Sequence, residues 1–128
     1  MMVPTDDESL FQRALELDES EQTSEAIRLL EPLVAPRDNP RYLSAYALFL
    51  QRSNRPVEAI EALECALNIE PHYREGDMRL LLADLLLGVD RKQDAIAQWK
   101  IVSGMEPNGD PFASIPYEAI ARLNQYDV

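Results

Sequence analysis

Few side chains in this sequence commonly perform catalysis or bind metals. The chain contains one histidine, His72, and one cysteine, Cys65. A histidine-rich metal site needs several ligands and an internal disulfide needs two cysteines, so neither can hold this fold together. We expect His72 to be an ordinary loop residue and Cys65 to act as a small apolar side chain on a helix.

The segment Glu106-Pro-Asn-Gly-Asp110 places two carboxylates near a turn. It lacks the spacing of a calcium loop and the bidentate glutamate that closes one. The sequence also shows no glycine-rich phosphate loop, no nucleophile elbow and no motif that joins a serine to a histidine and an acid. We therefore predict a protein that is not an enzyme and that has no cofactor and no metal site.

The charge of the chain limits its partners. Its 128 residues include 12 basic and 23 acidic side chains, which give a formal net charge of −11. Such a chain repels the phosphates of nucleic acid and an anionic membrane surface. The sequence has no apolar run long enough to span a membrane and no signal-peptide pattern at its start, so we expect a cytoplasmic protein. Its length predicts a single domain over residues 1–128.

Proline and capping signals divide the chain into helices. Thr5 and Glu8 have the spacing of a capping box, and Asn39-Pro40 places a capping residue before a first-turn proline. Gly88 is expected to end a helix. The first predicted helix runs from the cap at Thr5 to about Asp18. The other six run over about 22–34, 40–52, 56–69, 75–87, 92–102 and 116–126.

A short motif recurs three times. An acid, an alanine and an isoleucine occur at residues 25–27, 58–60 and 94–96, with a large apolar residue four positions after each alanine. Another alanine precedes each motif alanine by twelve positions, and a leucine precedes it by nine. The paired alanines are Ala14 and Ala26, Ala47 and Ala59, and Ala83 and Ala95; the large residues are Leu30, Leu63 and Trp99. Because one helix pair cannot bury its apolar face alone, such units must stack.

This pattern resembles the tetratricopeptide repeat (TPR) family. The second unit matches the family pattern best, through Leu43, Tyr46, Ala47, Leu50, Ala59, Leu63, Ala66 and Pro71. The resemblance implies an all-α superhelix of three antiparallel helix pairs, at about 7–38, 40–71 and 74–107, with a capping helix at about 116–126. We expect Tyr117, Ile120, Ala121 and Leu123 to form the apolar side of that cap.

The resemblance also implies a function. In this family the first helix of each pair lines a concave groove that binds other proteins, and a well-known variant clamps the terminal carboxylate of a chaperone tail. The basic residues of that clamp are missing here, so no such tail is expected. The predicted partner-binding groove has an apolar centre and acidic rims, and its residues are Phe11, Leu15, Ser44, Leu48, Gln51, Leu80, Asp84 and Leu87.

Two interpretations of this groove stay open. The first is a protein-interaction module, an adaptor or accessory subunit, that binds an apolar or basic-amphipathic peptide segment. The second is a self-assembling structural element, in which a second copy of the chain pairs through the groove or through an exposed repeat end. The chain's own termini could also cover the groove.

Overall fold

The computed structural model describes residues 6–70, 74–105 and 115–126, and these residues form seven α-helices and no strand. The predicted all-α class is confirmed. The helices are α1 (Asp7–Glu19), α2 (Thr23–Val34), α3 (Pro40–Arg52), α4 (Pro56–Ile69), α5 (Glu75–Gly88), α6 (Lys92–Ser103) and α7 (Ile115–Gln125). Thr5, His72 and the turn at residues 106–110 lie outside the described residues.

The chain divides into two compact units, residues 1–70 and residues 71–128. In the first unit α1 packs against α2, α2 against α3, and α3 against α4. In the second unit α6 packs against both α5 and α7, and α5 contacts α7. The prediction of one domain over residues 1–128 stays a prediction. In the part of the chain that the structure describes, no helix is both long and apolar enough to cross a membrane.

The alanines of the repeated motif lie where the paired helices meet. Ala14, Ala26, Ala47, Ala59, Ala83 and Ala95 are all 0% exposed. The large apolar residues that follow them, Leu30, Leu63 and Trp99, are equally inaccessible. A side chain without atoms beyond Cβ lets two helix backbones approach closely, and the larger residues fill the remaining space. The predicted core of the three helix pairs is therefore confirmed.

The same turn connects the two helices of every pair. Glu21, Asn54 and Asp90 have positive φ angles of 63°, 58° and 69°. The residue after each of them donates its backbone N–H to the carbonyl of the leucine five residues earlier, at 2.8 to 2.9 Å. These bonds are Gln22 to Leu17, Arg55 to Leu50 and Arg91 to Leu86. This is the Schellman arrangement, which satisfies carbonyls at a helix end. The repeated turn explains why the spacing within each pair is constant.

Two capping predictions are wrong. Gly88 is the last residue of α5, and the left-handed residue that ends the helix is Asp90. The N-cap of α1 is Asp6, whose Oδ1 accepts a 2.8 Å hydrogen bond from the backbone N–H of Ser9. This bond lowers the pKa of the Asp6 carboxyl. Glu8, which the predicted capping box needed, pairs instead with Arg41 on α3.

The seventh helix packs through a different face from the predicted one. Ala119 is 0% exposed and Pro116 is buried, whereas Tyr117 is 62% exposed and Ile120 is 41% exposed. The ring of Tyr126 stacks on Trp99 of α6, with 5.4 Å between the centroids. The sequence pattern gave several apolar residues around α7, and their periodicity alone could not determine which of them contact α6.

The Schellman turns predict that glycine substitutions at two nearby glutamates change the free energy of unfolding in opposite directions. Glu21→Gly should stabilise the protein by about 0.5–1 kcal/mol, because glycine adopts the left-handed conformation without a Cβ clash. Glu19→Gly, in the last helical residue of α1, should destabilise it by roughly 0.5–1 kcal/mol. Urea melts of both variants measure these changes. A destabilised Glu21→Gly variant would contradict the description of the turn.

Trp99 generates a second prediction. Its side chain is fully buried in the second unit, and its Nε1 has no hydrogen-bond partner among the described residues. Trp99→Ala should reduce the free energy of unfolding by about 3–5 kcal/mol, the range for truncating large aromatic residues in cores. A loss under about 1 kcal/mol in urea melts would show that the indole does not support the packing of α6.

Candidate protein-binding groove

An open groove lies between α1 and α3 in the first unit. It has a volume of about 600 Å³, and we call it the α1–α3 groove. Two of the predicted site residues, Leu15 and Leu48, line it, and both are half-buried. The full lining is Leu15, Asp18, Glu19, Glu21, Thr23, Ala45, Leu48, Phe49 and Arg52. The groove therefore has an apolar wall from each helix and several charged residues.

A polar network at the end of α1 fixes one part of the lining. Arg52 on α3 donates from Nη1 to Oδ2 of Asp18, and the hydroxyl of Thr23 donates to Oδ1 of Asp18 at 2.8 Å. The Asp18 side chain is only 7% exposed. A buried carboxylate needs such partners, because an unpaired charge away from water is costly. The network compensates the charge of Arg52 and ties α1, α2 and α3 together.

Phe11 does not line the α1–α3 groove, and its predicted exposure is wrong. It is 3% exposed and packs on Tyr42 of α3, with ring centroids 4.9 Å apart. The guanidinium of Arg41 lies over the Phe11 ring, 4.5 Å from its centroid. Phe11 is thus part of the contact between neighbouring helix pairs, where aromatic and cation–π contacts stabilise the packing.

Arg41 also forms a two-bond ion pair with Glu8. Its Nη1 and Nη2 donate to the two carboxylate oxygens of Glu8, at 2.7 Å and 2.9 Å. These bonds, followed by one from Gln12, hold the pKa of Glu8 below its ordinary value. Burial and the nearby Glu8 carboxylate raise the pKa of the Tyr42 phenol. The ion pair crosses from α1 to α3 and so helps to set the separation of the groove walls.

Two other predicted residues on α3 do not line the α1–α3 groove. Ser44 is half-buried, and its hydroxyl donates to the carbonyl of Arg41 at 3.0 Å. Gln51 is also half-buried. The lining residues of α3 are Ala45, Leu48, Phe49 and Arg52 instead. The predicted stripe on α3 is thus rotated by about one residue, since the burial of Tyr42 and Phe49 determines which face of α3 turns towards α1.

The remaining predicted residues lie on α5 in the second unit. Leu80 and Leu87 are half-buried, and their participation in a binding groove stays a prediction. Asp84 accepts a 2.5 Å hydrogen bond from Nη1 of Arg122 on α7. This bond raises the pKa of the Arg122 guanidinium. The charge of Asp84 is therefore largely compensated, and Asp84 does not form the free acidic rim that the sequence suggested.

Charge is unevenly divided along the chain. Residues 6–70 contain 14 acidic and 6 basic side chains, a formal charge of −8, whereas the described residues from 74 to 126 contain 6 of each. Glu19 and Glu21, which line the α1–α3 groove, form no ion pair with the other described residues, unlike Asp18. The negative field is therefore strongest in the unit that contains the groove.

Glu19, Glu21 and Thr23 were missed because they lie at or after the end of α1, beyond any helical stripe. The turn between α1 and α2 brings them to the groove.

Within the described residues, no group of three or more His, Cys, Asp or Glu side chains could hold a metal ion. Cys65 is free and half-buried on α4.

Comparison with known proteins identifies a fold but not a family. No protein-family model matches the sequence, and no curated protein matches it. Among solved structures, the chain is similar to the type III secretion translocator chaperone SycD of Yersinia enterocolitica. The TM-score is 0.82, the sequence identity is 15%, and the match covers 92% of this chain and 81% of that chain. At this identity the likeness establishes the helical-repeat fold alone.

The ion pair between Glu8 and Arg41 predicts a pH-dependent contribution to stability. Because the pKa of Glu8 is lowered in the folded protein, the pair stabilises the protein above the unfolded-state pKa and is lost as the pH falls through the folded-state pKa. Glu8→Gln should be slightly less stable than the parent at pH 7, since both partners are partly exposed. Urea melts from about pH 5 to pH 2 should show this difference shrinking to nothing. A difference that grew in acid would contradict the assignment.

Proposed function

We propose that this protein is a non-catalytic protein-binding module that holds an apolar or basic-amphipathic segment of another protein in the α1–α3 groove. The observation that supports this most directly is the position of Leu15 and Leu48. They lie on facing helices, they line the same groove, and neither is fully buried. Half-buried leucines on both walls leave apolar surface that a partner's side chains can cover.

The apolar walls favour a segment with several large apolar side chains. Each such side chain gains roughly 1.5–3 kcal/mol when it moves from water into an apolar site. A segment that places several of them against Leu15, Ala45 and Leu48 reaches about micromolar affinity once the costs of association are subtracted. No strong polar contact is needed for that affinity.

The charge around the groove favours basic residues that flank the apolar segment. Glu19 and Glu21 line the groove, and the surrounding residues 6–70 have a formal charge of −8. Lysines or arginines on the partner would gain from this field and would speed association at low salt. Salt screens these exposed charges, but it should weaken binding only modestly, because the apolar contacts supply most of the affinity.

A chaperone-like role is consistent with the fold. SycD is a translocator chaperone with a similar fold, and we extend protein binding, without its particular partner, from that likeness to this chain. Arg52, the cation of the groove lining, is paired with Asp18. That pairing supports the prediction that the groove does not clamp a terminal carboxylate. The formal net charge of −11 supports the expectation that nucleic acid and anionic membranes are not partners.

Leu48→Glu tests the proposed function. The probe is a fluorescent peptide in which a run of leucines is flanked by lysines, and a glutamate-flanked peptide of the same length serves for comparison. The parent should bind the lysine-flanked peptide, and Leu48→Glu should weaken that binding at least about tenfold, or 1.4 kcal/mol. Circular dichroism should show unchanged helical content, because Leu48 is not in the closed core.

Val57→Glu is the matched control, since it adds the same charge at a position that is 60% exposed on α4. It should bind the peptide as the parent does. Equal binding by Leu48→Glu would place the site on another surface, and unfolding of Leu48→Glu would make Leu48 a core residue. Preference for the glutamate-flanked peptide would contradict the electrostatic part of the proposal.

A further inference from the structure

The outer face of α7 shows an apolar surface to solvent. Tyr117 is 62% exposed and Ile120 is 41% exposed, and Ala121 and Asn124 are exposed beside them. These four residues have the three-and-four spacing of a single helix face. We call them the α7 outer face. A helix of a repeat protein normally packs such a face against a neighbouring helix, and no helix among the described residues covers this one.

The register of α7 shows what this face corresponds to. Arg41 pairs with Glu8 at a separation of 33 residues, which is the shift between the first two repeats. The Asp18–Arg52 pair, 34 residues apart, shows that such pairs follow the repeat shift to within one residue. The pairing of Arg122 with Asp84 therefore indicates a shift of about 38 residues between α5 and α7, and at 38 the buried Pro116 aligns with the buried Met78. Tyr117, Ile120, Ala121 and Asn124 then correspond to Arg79, Leu82, Ala83 and Leu86.

Of those four residues of α5, Arg79 bonds to α6 and the other three are buried. Nη1 of Arg79 donates to Oε1 of Gln98 on α6 at 2.7 Å, and Ala83, which pairs with Ala95, is 0% exposed. Leu82 and Leu86 are each 2% exposed. The α7 outer face therefore occupies the position at which each first helix of this fold packs against its second helix. Ala121 offers the small residue that such a close contact requires.

We propose that a second copy of this chain covers the α7 outer face, with the two α7 helices antiparallel about a two-fold axis. The face is self-complementary when the axis passes between Ile120 and Ala121. Ile120 of each copy then packs over the small Ala121 of the other. Tyr117 lies beside Asn124 of the other copy, where its phenol can bond the carboxamide. A two-fold contact requires such a match of one surface with itself.

Charge also favours a second copy at this face. A molecule with a net charge of −11 repels its own copies over most of its surface, and most strongly over residues 6–70. Residues 115–125 contain one acid and one base, Glu118 and Arg122, which are 3.5 Å apart. The α7 outer face is therefore apolar and locally neutral. Because only one helix from each copy takes part, the contact is small and the dimer is weak and concentration-dependent.

Sedimentation equilibrium of the 128-residue chain over a wide concentration range tests this inference. The mass should rise with concentration from that of the 14.5 kDa chain towards twice that value. Ile120→Glu and Tyr117→Ala should each remove this rise, and the Val57→Glu control should keep it. A parent protein that stays monomeric at the highest concentrations would overturn the proposal. That is the result expected if the α7 outer face binds a different protein. A dimer that survives Ile120→Glu would also overturn it.

Cysteine cross-linking supplies a test that does not depend on a charge substitution. In a Cys65→Ala background, Ala121→Cys should form an intermolecular disulfide faster than Ala97→Cys, because Ala97 is exposed on α6 outside the α7 outer face. Equal rates for the two variants would overturn the antiparallel pairing. Circular dichroism of every variant identifies any that fails to fold, and the remaining variants then decide the result.

The two proposals can fail separately. Ile120→Glu should keep the affinity of the α1–α3 groove for the lysine-flanked leucine peptide, and Leu48→Glu should keep the dimer. Loss of the dimer in Leu48→Glu would show that copies associate through the groove, which overturns the α7 pairing.

Discussion

The close approach of paired helices at buried alanines is the contact on which the rest of this structure depends. Six alanines with no exposed surface allow the helices of each pair to touch, and a Schellman turn at Glu21, Asn54 or Asp90 returns the chain at a constant distance. Each pair still has an apolar side that its own two helices cannot cover. Contacts with the next helix, such as Phe11 on Tyr42 and Trp99 on Tyr126, bury that side.

The surface that this packing leaves uncovered determines what the protein can bind. In the first unit the walls of α1 and α3 are held by the Glu8–Arg41 and Asp18–Arg52 pairs, with Leu15 and Leu48 half-buried between them. Because Arg52 is paired, the described lining of the groove holds no unpaired cation to select an anionic ligand, and its unpaired charges are those of Glu19 and Glu21. In the second unit, α7 presents a face that corresponds to a buried face of α5. No second helix among the described residues packs on this face of α7.

The sequence predicted the fold better than the site, for a physical reason. Contacts within a helix pair repeat along the chain, so Ala14, Ala26, Leu30 and their equivalents were recognisable from spacing alone. Contacts between pairs depend on the rotation of each helix, which periodicity does not determine. For that reason the sequence pattern places Phe11 in the groove instead of the core and misses Arg52, whereas it misses Glu21 because that residue lies in the turn after α1. The left-handed turns were also invisible, because none of their residues is glycine.

A nuclear magnetic resonance titration with the lysine-flanked leucine peptide tests the central claim most directly. The central claim is that the α1–α3 groove of the first unit binds an apolar segment with basic flanks. Methyl signals of Leu15, Ala45 and Leu48 should shift as peptide is added, while those of Val57 on α4 and Ile101 on α6, which lie outside the groove lining, should stay in place. Shifts confined to α2 and α4, or no shift at peptide concentrations well above micromolar, would contradict the account.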